Sequence, residues 1–458
     1  MRPRTRPSRE AAGGPLARVP VALEDLTLRP ESIVLDIERL DAEGRGVARL
    51  PEGKVAFVEG ALPGERAVVR IFKQKARYAL ARATSIENPS PARREARCPH
   101  FGVCGGCVLQ HADAALQLAA KRDSLEQSLS RIGKTLPERW LPSVQGEEWG
   151  YRRRARLSVR RVPKKGVLVG FRERRSSYVA DLRECPVLPP AISALIAPLK
   201  ELVESLSVRE RLPQIEVAMG DAATALVFRH LLPLSEDDRE RLRRFARERG
   251  VQVWLQPARP ENAQPFEPEG GELFYELPDF AVRLQFRPTD FTQVNPGVNR
   301  LLVGRALELL DPRPGERIAD LFCGLGNFSL PVARRGARVI GFEGSPELVE
   351  RARANAAANG LAAQFEAMDL FHPQLRPYGP FEKILLDPPR QGAIEVVKSL
   401  AAEGAPRRIV YVSCDTATLA RDAGVLVHTK GYRLAAAGVV NMFPHTAHVE
   451  SIALLERT

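Results

Sequence analysis

Arg317-Ile318-Ala319-Asp320-Leu321-Phe322-Cys323-Gly324-Leu325-Gly326-Asn327-Phe328 is the stretch on which the fold of this chain turns. Arg317–Phe322 reads as a strand, Cys323–Asn327 as a tight turn built on two glycines, and Phe328–Arg335 as a helix. Working outward, the alternation repeats. Arg338–Phe342 is a second strand ending in Glu343, residues 346–359 a helix, Phe381–Leu386 a strand ending in Asp387-Pro388-Pro389, and Arg408–Ser413 a strand ending in Cys414. Strands spaced by helices predict an α/β domain with a parallel, doubly wound sheet whose ligands sit at the strands' carboxyl ends.

Gly324 and Gly326 let the backbone approach a ligand closely, and Glu343 follows at the distance expected for gripping ribose hydroxyls. Both a dinucleotide and S-adenosylmethionine would suit that much. The third glycine of the dinucleotide fingerprint is missing, with Ser329 in its place, so a pyrophosphate cradle is disfavoured. Asp320, at the strand end before the glycines, would repel a diphosphate but could face the ammonium of a methionine. The ordered set Asp320, Gly324, Gly326, Glu343, Asp369 and Asp387-Pro388-Pro389 therefore reads as an S-adenosylmethionine site.

Two residues can carry chemistry beside it. Cys414 lies in Tyr411-Val412-Ser413-Cys414-Asp415 at the ligand end of the sheet, where a thiol can be a nucleophile if its pKa is lowered; most free cysteines are simply small buried hydrophobes. Glu450 closes Phe443-Pro444-His445-Thr446-Ala447-His448-Val449-Glu450, just before the apolar run Ser451–Leu455. Histidines with a glutamate can hold a metal, but His445 and His448 would point apart in a strand. A thiol and a carboxylate beside a methyl donor suit carbon 5 of uracil, which is too poor a nucleophile to attack a methyl sulfonium unaided. Thiolate addition at carbon 6 enriches carbon 5, and a base must then remove the carbon 5 proton. The roles are Cys414 as nucleophile and Glu450 as base, acting on a base extruded from folded RNA.

The front of the chain differs. Of 68 Lys+Arg and 56 Asp+Glu in 458 residues, residues 272–458 hold 21 of each, so the whole net charge of +12 falls on residues 1–271. That asymmetry points to a polyanion-binding front and a catalytic back, with an arginine-rich composition that merely reflects a GC-rich genome as the alternative. Residues 1–30 read as a flexible basic arm. Short alternating strands with Gly and Pro turns over residues 31–88 predict a small β-barrel, basic at Lys73, Lys75, Arg77 and Arg82. Residues 112–131 predict a polar helix. From Tyr151 to Val162 a strand places Arg152, Arg154, Arg156, Ser158 and Arg160 on one face, a ladder expected to meet RNA or DNA phosphates rather than only solvent. Pro257–Gly271, with four Pro and two Gly, marks a loop or domain boundary. The expected domains are thus 31–88, 89–271 and 272–458.

Cys98, Cys104, Cys107 and Cys185 suit a four-thiolate site, and spacing leaves zinc and an iron–sulfur cluster both open. Six cysteines are too few and too clustered for a disulfide scaffold. No uninterrupted apolar run is long enough to span a membrane, and no apolar stretch follows the charged start as in a secretory signal.

From about residue 30 to its end the chain resembles the RNA uracil-5-methyltransferases, most closely their 23S rRNA branch. The resemblance runs through Tyr151-Arg152-Arg153-Arg154-Ala155-Arg156, Phe291-Thr292-Gln293-Val294-Asn295, the glycine turn, Asp387-Pro388-Pro389-Arg390, Ser413-Cys414-Asp415 and the segment from Phe443 to Glu450. It implies a Rossmann-like class I S-adenosylmethionine-dependent methyltransferase domain, an N-terminal TRAM (OB-like) β-barrel, and a central α+β domain with an iron–sulfur cluster. It implies that Gln293, Phe322, Asn327, Glu343, Asp369 and Asp387 contact S-adenosylmethionine, with Asp369 the loosest transfer. It implies that Cys98, Cys104, Cys107 and Cys185 hold a [4Fe-4S] cluster, and that Cys323 is structural. The expected protein is a cytoplasmic monomer acting on 23S rRNA. The rivals are a tRNA uracil-5-methyltransferase, whose bacterial members usually lack the barrel and the cysteine cluster, and a non-catalytic RNA-binding assembly factor. The intact Cys414, Glu450 and glycine turn argue against the latter.

Overall fold

The computed structural model describes residues 32–257, 259–267 and 271–458, so the expected basic arm lies outside the described residues. The chain divides into two compact units, Met1–Arg94 and Glu95–Thr458. In the first, six strands form one sheet in the order Ile33–Asp36, Arg66–Gln74, Tyr78–Asn88, Val55–Glu59, Gly46–Arg49, Arg39–Leu40. Alternation along these strands sends Leu35, Ala56, Val58, Ala67, Val69, Ala79, Ala81 and Ala83 into one core. Arg93 closes the unit by a bidentate bond to the buried Glu65.

The second unit carries two larger sheets. One has the order Gln264–Pro265, Gln252–Pro257, Thr224–His230, Gln214–Met219, Arg154–Val162, Gly166–Gly170. Its parallel pair, Thr224–His230 with Gln252–Pro257, is bridged by the helix Glu236–Arg249, which Ser235 and Asp238 cap reciprocally. On Arg154–Val162 the predicted alternation is present, with Ala155, Leu157 and Val159 buried.

The other sheet holds the glycine turn. Its eight strands run Ala363–Ala367, Arg338–Glu343, Arg317–Leu321, Lys383–Leu386, Arg408–Ser413, Glu450–Arg457, Tyr432–Val440, Arg139–Trp140. Neighbours among the first five are parallel, whereas Glu450–Arg457 lies antiparallel to both of its neighbours. The sheet is therefore mixed rather than all parallel, and it departs from the dinucleotide-binding order at this inserted strand. Inserting a reversed strand brings its first residue, rather than its last, to the edge where the parallel strands end. Two pieces from earlier in the chain complete the layer: Arg139–Trp140 pairs with the sheet edge, and the helix Ala114–Ser128, capped by Asp113, leads toward it.

Candidate active site

Sheet register assembles the site. Leu386 pairs with Leu321 on one side and Tyr411 on the other across three parallel strands, and Ser413 pairs with Ser451 on the reversed strand. The residues that follow or precede these pairs, Phe322, Asp387, Cys414 and Glu450, are thus brought to one edge. Glu343 joins them from the end of its strand. Ser451 Oγ donates to Ser413 O at 3.2 Å, locking the two strands beside the thiol and the carboxylate.

The glycine turn is shaped by backbone that side chains resist. Phe322, Gly324 and Gly326 have φ of 65°, 54° and 91°. A left-handed phenylalanine costs of order 1–3 kcal/mol and persists where its surroundings over-determine it. Here the N–H groups of Phe322 and Cys323 both donate to Phe342 O, at 2.9 and 3.1 Å. A Cβ on Gly324 would meet nothing within 4 Å, so the turn leaves open space beside its backbone. Glu343 accepts from the Gly324 N–H and the Ser345 N–H, both at 3.1 Å, which holds its carboxylate over the turn with a lone pair on each oxygen to spare.

Burial sets the charge state of this edge. Asp320, 1% exposed, accepts from Ser329 Oγ on one oxygen, while the other, Oδ1, has no partner. Burial, and secondarily the Glu343 charge, pushes its carboxyl up to about 7. Glu450, 4% exposed, is likewise pushed up to about 7 by burial. Asp387 is raised well above the carboxylate range by burial and by the neighbouring Glu450 and Asp320. The Cys414 thiol is pushed up to about 11, by burial first and then by Glu450 and Asp387, against a smaller opposing pull from Arg390. These are clustered acids short of cationic partners. An arriving cation would find an unpartnered carboxylate oxygen and acids ready to ionise, whereas a pyrophosphate would be repelled.

The remaining expected ligands stand differently. Asn327 Oδ1 accepts from Tyr275 Oη at 3.0 Å and from Asn299 Nδ2 at 2.9 Å, and its Nδ2 donates back to Asn299 Oδ1 at 3.0 Å. Its side chain is committed to bracing the turn against the helix Pro296–Leu310. Gln293 shares a cavity of about 20 Å3, room for one water, with Tyr275 and Asn299. Asp369 is exposed and accepts from the Phe371 N–H at 2.9 Å and from His372 Nδ1 at 2.8 Å. Cys323 is buried against Gly341, where a Cβ would come within 2.8 Å of its sulfur.

His445 and His448 do not pair around Glu450. The His445 ring stacks on Trp149 at 3.9 Å, and its nitrogens are taken by Gln117 and Glu148 O. The arginine ladder is also largely occupied. Arg154 donates to Pro288 O and Asp290 O, Arg156 pairs with Glu216, and Arg152 lies over Phe171, leaving Arg160 exposed. Protein acceptors distant in sequence thus meet Arg154 and Arg156, the latter still exposed.

Residues 113–369 and 364–458 match the family model of the tRNA (Uracil-5-)-methyltransferases, and residues 31–84 that of the TRAM domain. The chain belongs to the RNA uracil-5-methyltransferase family. It is 62% identical over 430 residues, 93% of its length and 99% of the relative's, to the 23S rRNA (uracil(1939)-C(5))-methyltransferase RlmD of Thiobacillus denitrificans. With the corresponding RlmD of Aromatoleum aromaticum it shares 58% identity over 428 residues, 92% of this chain and 99% of that one. Among solved structures, the Pyrococcus abyssi tRNA (uracil-54, C5)-methyltransferase in complex with S-adenosyl-L-homocysteine superposes with a TM-score of 0.71. That match is 27% identical and covers 92% of this chain and 99% of the other.

In this uracil-5-methyltransferase the four other cysteines are all free thiols, contributed by the segment 98–107 and by Cys185. Burial pushes Cys104 up to about 11 and Cys185 up to about 12, and Cys98 and Cys107 add to both shifts, so the sulfurs are neighbours. Gly106 N–H points at Cys104 Sγ at 3.4 Å, and Arg174 holds Cys107 O. Soft donors with N–H and guanidinium support are the chemistry of a thiolate cluster site. Among the described residues, however, no three His, Cys, Asp or Glu side chains are arranged to hold a metal ion as they stand. No described helix is long and apolar enough to cross a membrane.

Gln117, Lys121 and Asn299 went unnoticed in the sequence. Gln117, Lys121 and Leu125 recur every four residues and are buried together, which is a helix face; only their polarity disguised it.

Proposed function

We propose that this chain methylates carbon 5 of a uridine in 23S rRNA, using S-adenosylmethionine and a covalent Cys414–uracil adduct. The observation that carries the reading is the reversed strand Glu450–Arg457, whose pairing of Ser451 with Ser413 sets a carboxylate beside a thiol at the mouth of a methyltransferase-type glycine turn. S-adenosylmethionine, when bound, supplies an electrophilic methyl group on a sulfonium cation. Phe322 and the glycine turn would flank it, Glu343 would grip ribose hydroxyls, and Asp320 and Asp387 would face its positive charge. Asn327, held by Asn299 and Tyr275, together with Gln293 and the exposed Asp369, would complete the contacts to it.

Cys414 adds as thiolate to carbon 6, the displaced electron pair moves to carbon 5, and carbon 5 would take the methyl as the methyl–sulfur bond breaks, the pair staying on the sulfur of the departing neutral S-adenosyl-L-homocysteine. The Glu450 carboxylate removes the carbon 5 proton. The carbon 5–carbon 6 double bond re-forms and Cys414 leaves as thiolate. A thiol held up at about 11 is a poor nucleophile until something favours its ionised form. A cationic methyl donor beside it does so, which couples adduct formation to donor binding.

Lys73, Lys75 and Arg77, exposed on the hairpin of the TRAM unit, supply an RNA-gripping surface. Cys98, Cys104, Cys107 and Cys185 would hold a [4Fe-4S] cluster, with zinc as the alternative, in a structural role. The test is to incubate the protein with radiolabelled S-adenosylmethionine and total RNA. Label recovered as 5-methyluridine in 23S rRNA supports the reading, label in tRNA moves the substrate, and no label in any RNA favours a binding protein.

A further inference from the structure

Between the strand Tyr432–Val440 and Glu450 lies a nine-residue turn, and the earlier part of the chain grips its apex from several sides. Phe443 O accepts from Lys121 Nζ at 2.8 Å, Pro444 O from the Tyr151 hydroxyl at 3.1 Å, and His445 O from the backbone N–H groups of Val108 and Leu109 at 2.9 and 3.0 Å. Three successive carbonyls are thus all received by donors from residues 108–151. Lys121 Nζ also donates to Asn441 Oδ1 at 2.7 Å, at the turn's first residue. Gln117 Oε1 accepts the His445 N–H at 2.8 Å.

His445 itself has a φ of 64°, a conformation that persists in a side chain of this size only when neighbours over-determine it. Its ring bonds select one tautomer. Nε2 faces Glu148 O at 3.1 Å and must donate, so Nδ1 accepts from Gln117 Nε2 at 3.2 Å. Gln117 and Lys121 are each 2% exposed, and an amide and an ammonium are costly to bury. Apart from a Gln117 bond to Ala112 O, every side-chain hydrogen bond recorded for them goes to this turn.

Cys414 is positioned by other means. It follows a strand paired on both sides and precedes Asp415, whose carboxylate caps the helix Thr416–Thr429 by accepting from the Ala417 and Thr418 N–H groups. The nucleophile is set by strand and helix; the base opens its own strand, paired with Val440, and has the gripped turn immediately before it.

We infer that Lys121, supported by Gln117, is a positioning residue for Glu450, and that it acts on the second half of the reaction. The inference rests on the roles given above to Cys414 and Glu450. The affected step is the one in which the Glu450 carboxylate takes the carbon 5 proton, the carbon 5–hydrogen pair becomes the new double bond, and the Cys414–carbon 6 bond breaks to thiolate. Adduct formation and methyl transfer precede it and do not use Glu450.

The experiment follows both halves separately. Wild type, Lys121→Met and Glu450→Gln are mixed with transcribed 23S rRNA and S-adenosylmethionine and quenched over time. The protein–RNA band stable to denaturing gels reports adduct, and 5-methyluridine in protein-free RNA reports release. A displacement of the base by a fraction of an ångström should slow release by about tenfold while adduct forms within about twofold of the wild-type rate, so the band accumulates. Should Lys121→Met fail to fold, Gln117→Met carries the same expectation from the other side of the turn. If adduct formation and release fall together, or no band accumulates while Glu450→Gln does trap one, Lys121 merely supports the fold and the inference is overturned. If Glu450→Gln releases product normally, the base assignment fails and takes this inference with it.

Discussion

Replacing Glu450 by glutamine should make the RNA-free protein more stable at pH 8 and leave it nearly unchanged at pH 5. Burial raises this carboxyl from 4.5 to about 7. A raised acid binds its proton more tightly in the folded state, so its favourable contribution is complete below the unfolded value. It is lost as pH rises through the folded one. Each pKa unit is worth about 1.4 kcal/mol, so ionised Glu450 costs the folded state about 3 kcal/mol at pH 8. Glutamine carries no such charge. Spread over a cooperative unit of this size, that amounts to a melting-temperature gain of roughly 4 °C at pH 8 and close to none at pH 5. Melting curves of wild type and Glu450→Gln at the two pH values test it. An equal shift at both, or a loss at pH 8, would refute the claim that a buried, charge-strained carboxylate is kept there for catalysis.

Cys414→Ala should abolish both methylation and the denaturation-stable RNA complex while leaving S-adenosyl-L-homocysteine binding intact, as read by calorimetry. Changing Lys73, Lys75 and Arg77 together to glutamine should weaken RNA binding and lower its log–log salt slope by about 2, with donor affinity unchanged. Protein purified without oxygen should be brown with broad absorbance near ~400 nm, and a colourless, zinc-loaded preparation would decide for the alternative. Asn295→Ala removes the side chain that accepts the Val298 N–H at the start of the helix Pro296–Leu310. It should cost about 1 kcal/mol in denaturant titrations.

What was legible in the sequence was local. The strand–turn–helix at Arg317–Phe328, the carboxyl ends at Glu343, Asp387 and Cys414, and the alternation on Arg154–Val162 all follow from periodicity and glycine placement over a few residues. Strand direction is not a local property, which is why the reversal of Glu450–Arg457 was not visible. Yet that reversal is what makes Glu450 a neighbour of Cys414. The arginine ladder shows the same limit from the other side. Its spacing was right, but Pro288 O, Asp290 O and Glu216 come from distant strands and loops, and they give two of its four arginines partners within the protein, with Arg156 and Arg160 still exposed. Lys121 was hidden because a lysine on a polar helix ordinarily faces water. Its hydrogen-bond partners lie on a turn more than 300 residues later.

The central claim is that Cys414 and Glu450, joined by one register pair, make and unmake a bond to carbon 6 of uracil. It is tested most directly by digesting the complex trapped with Glu450→Gln and identifying the linkage by mass spectrometry. The account predicts a single peptide containing Cys414, attached to a uridine that already carries the carbon 5 methyl. Linkage through Cys323, or no linkage at all from a protein that still methylates RNA, would contradict it.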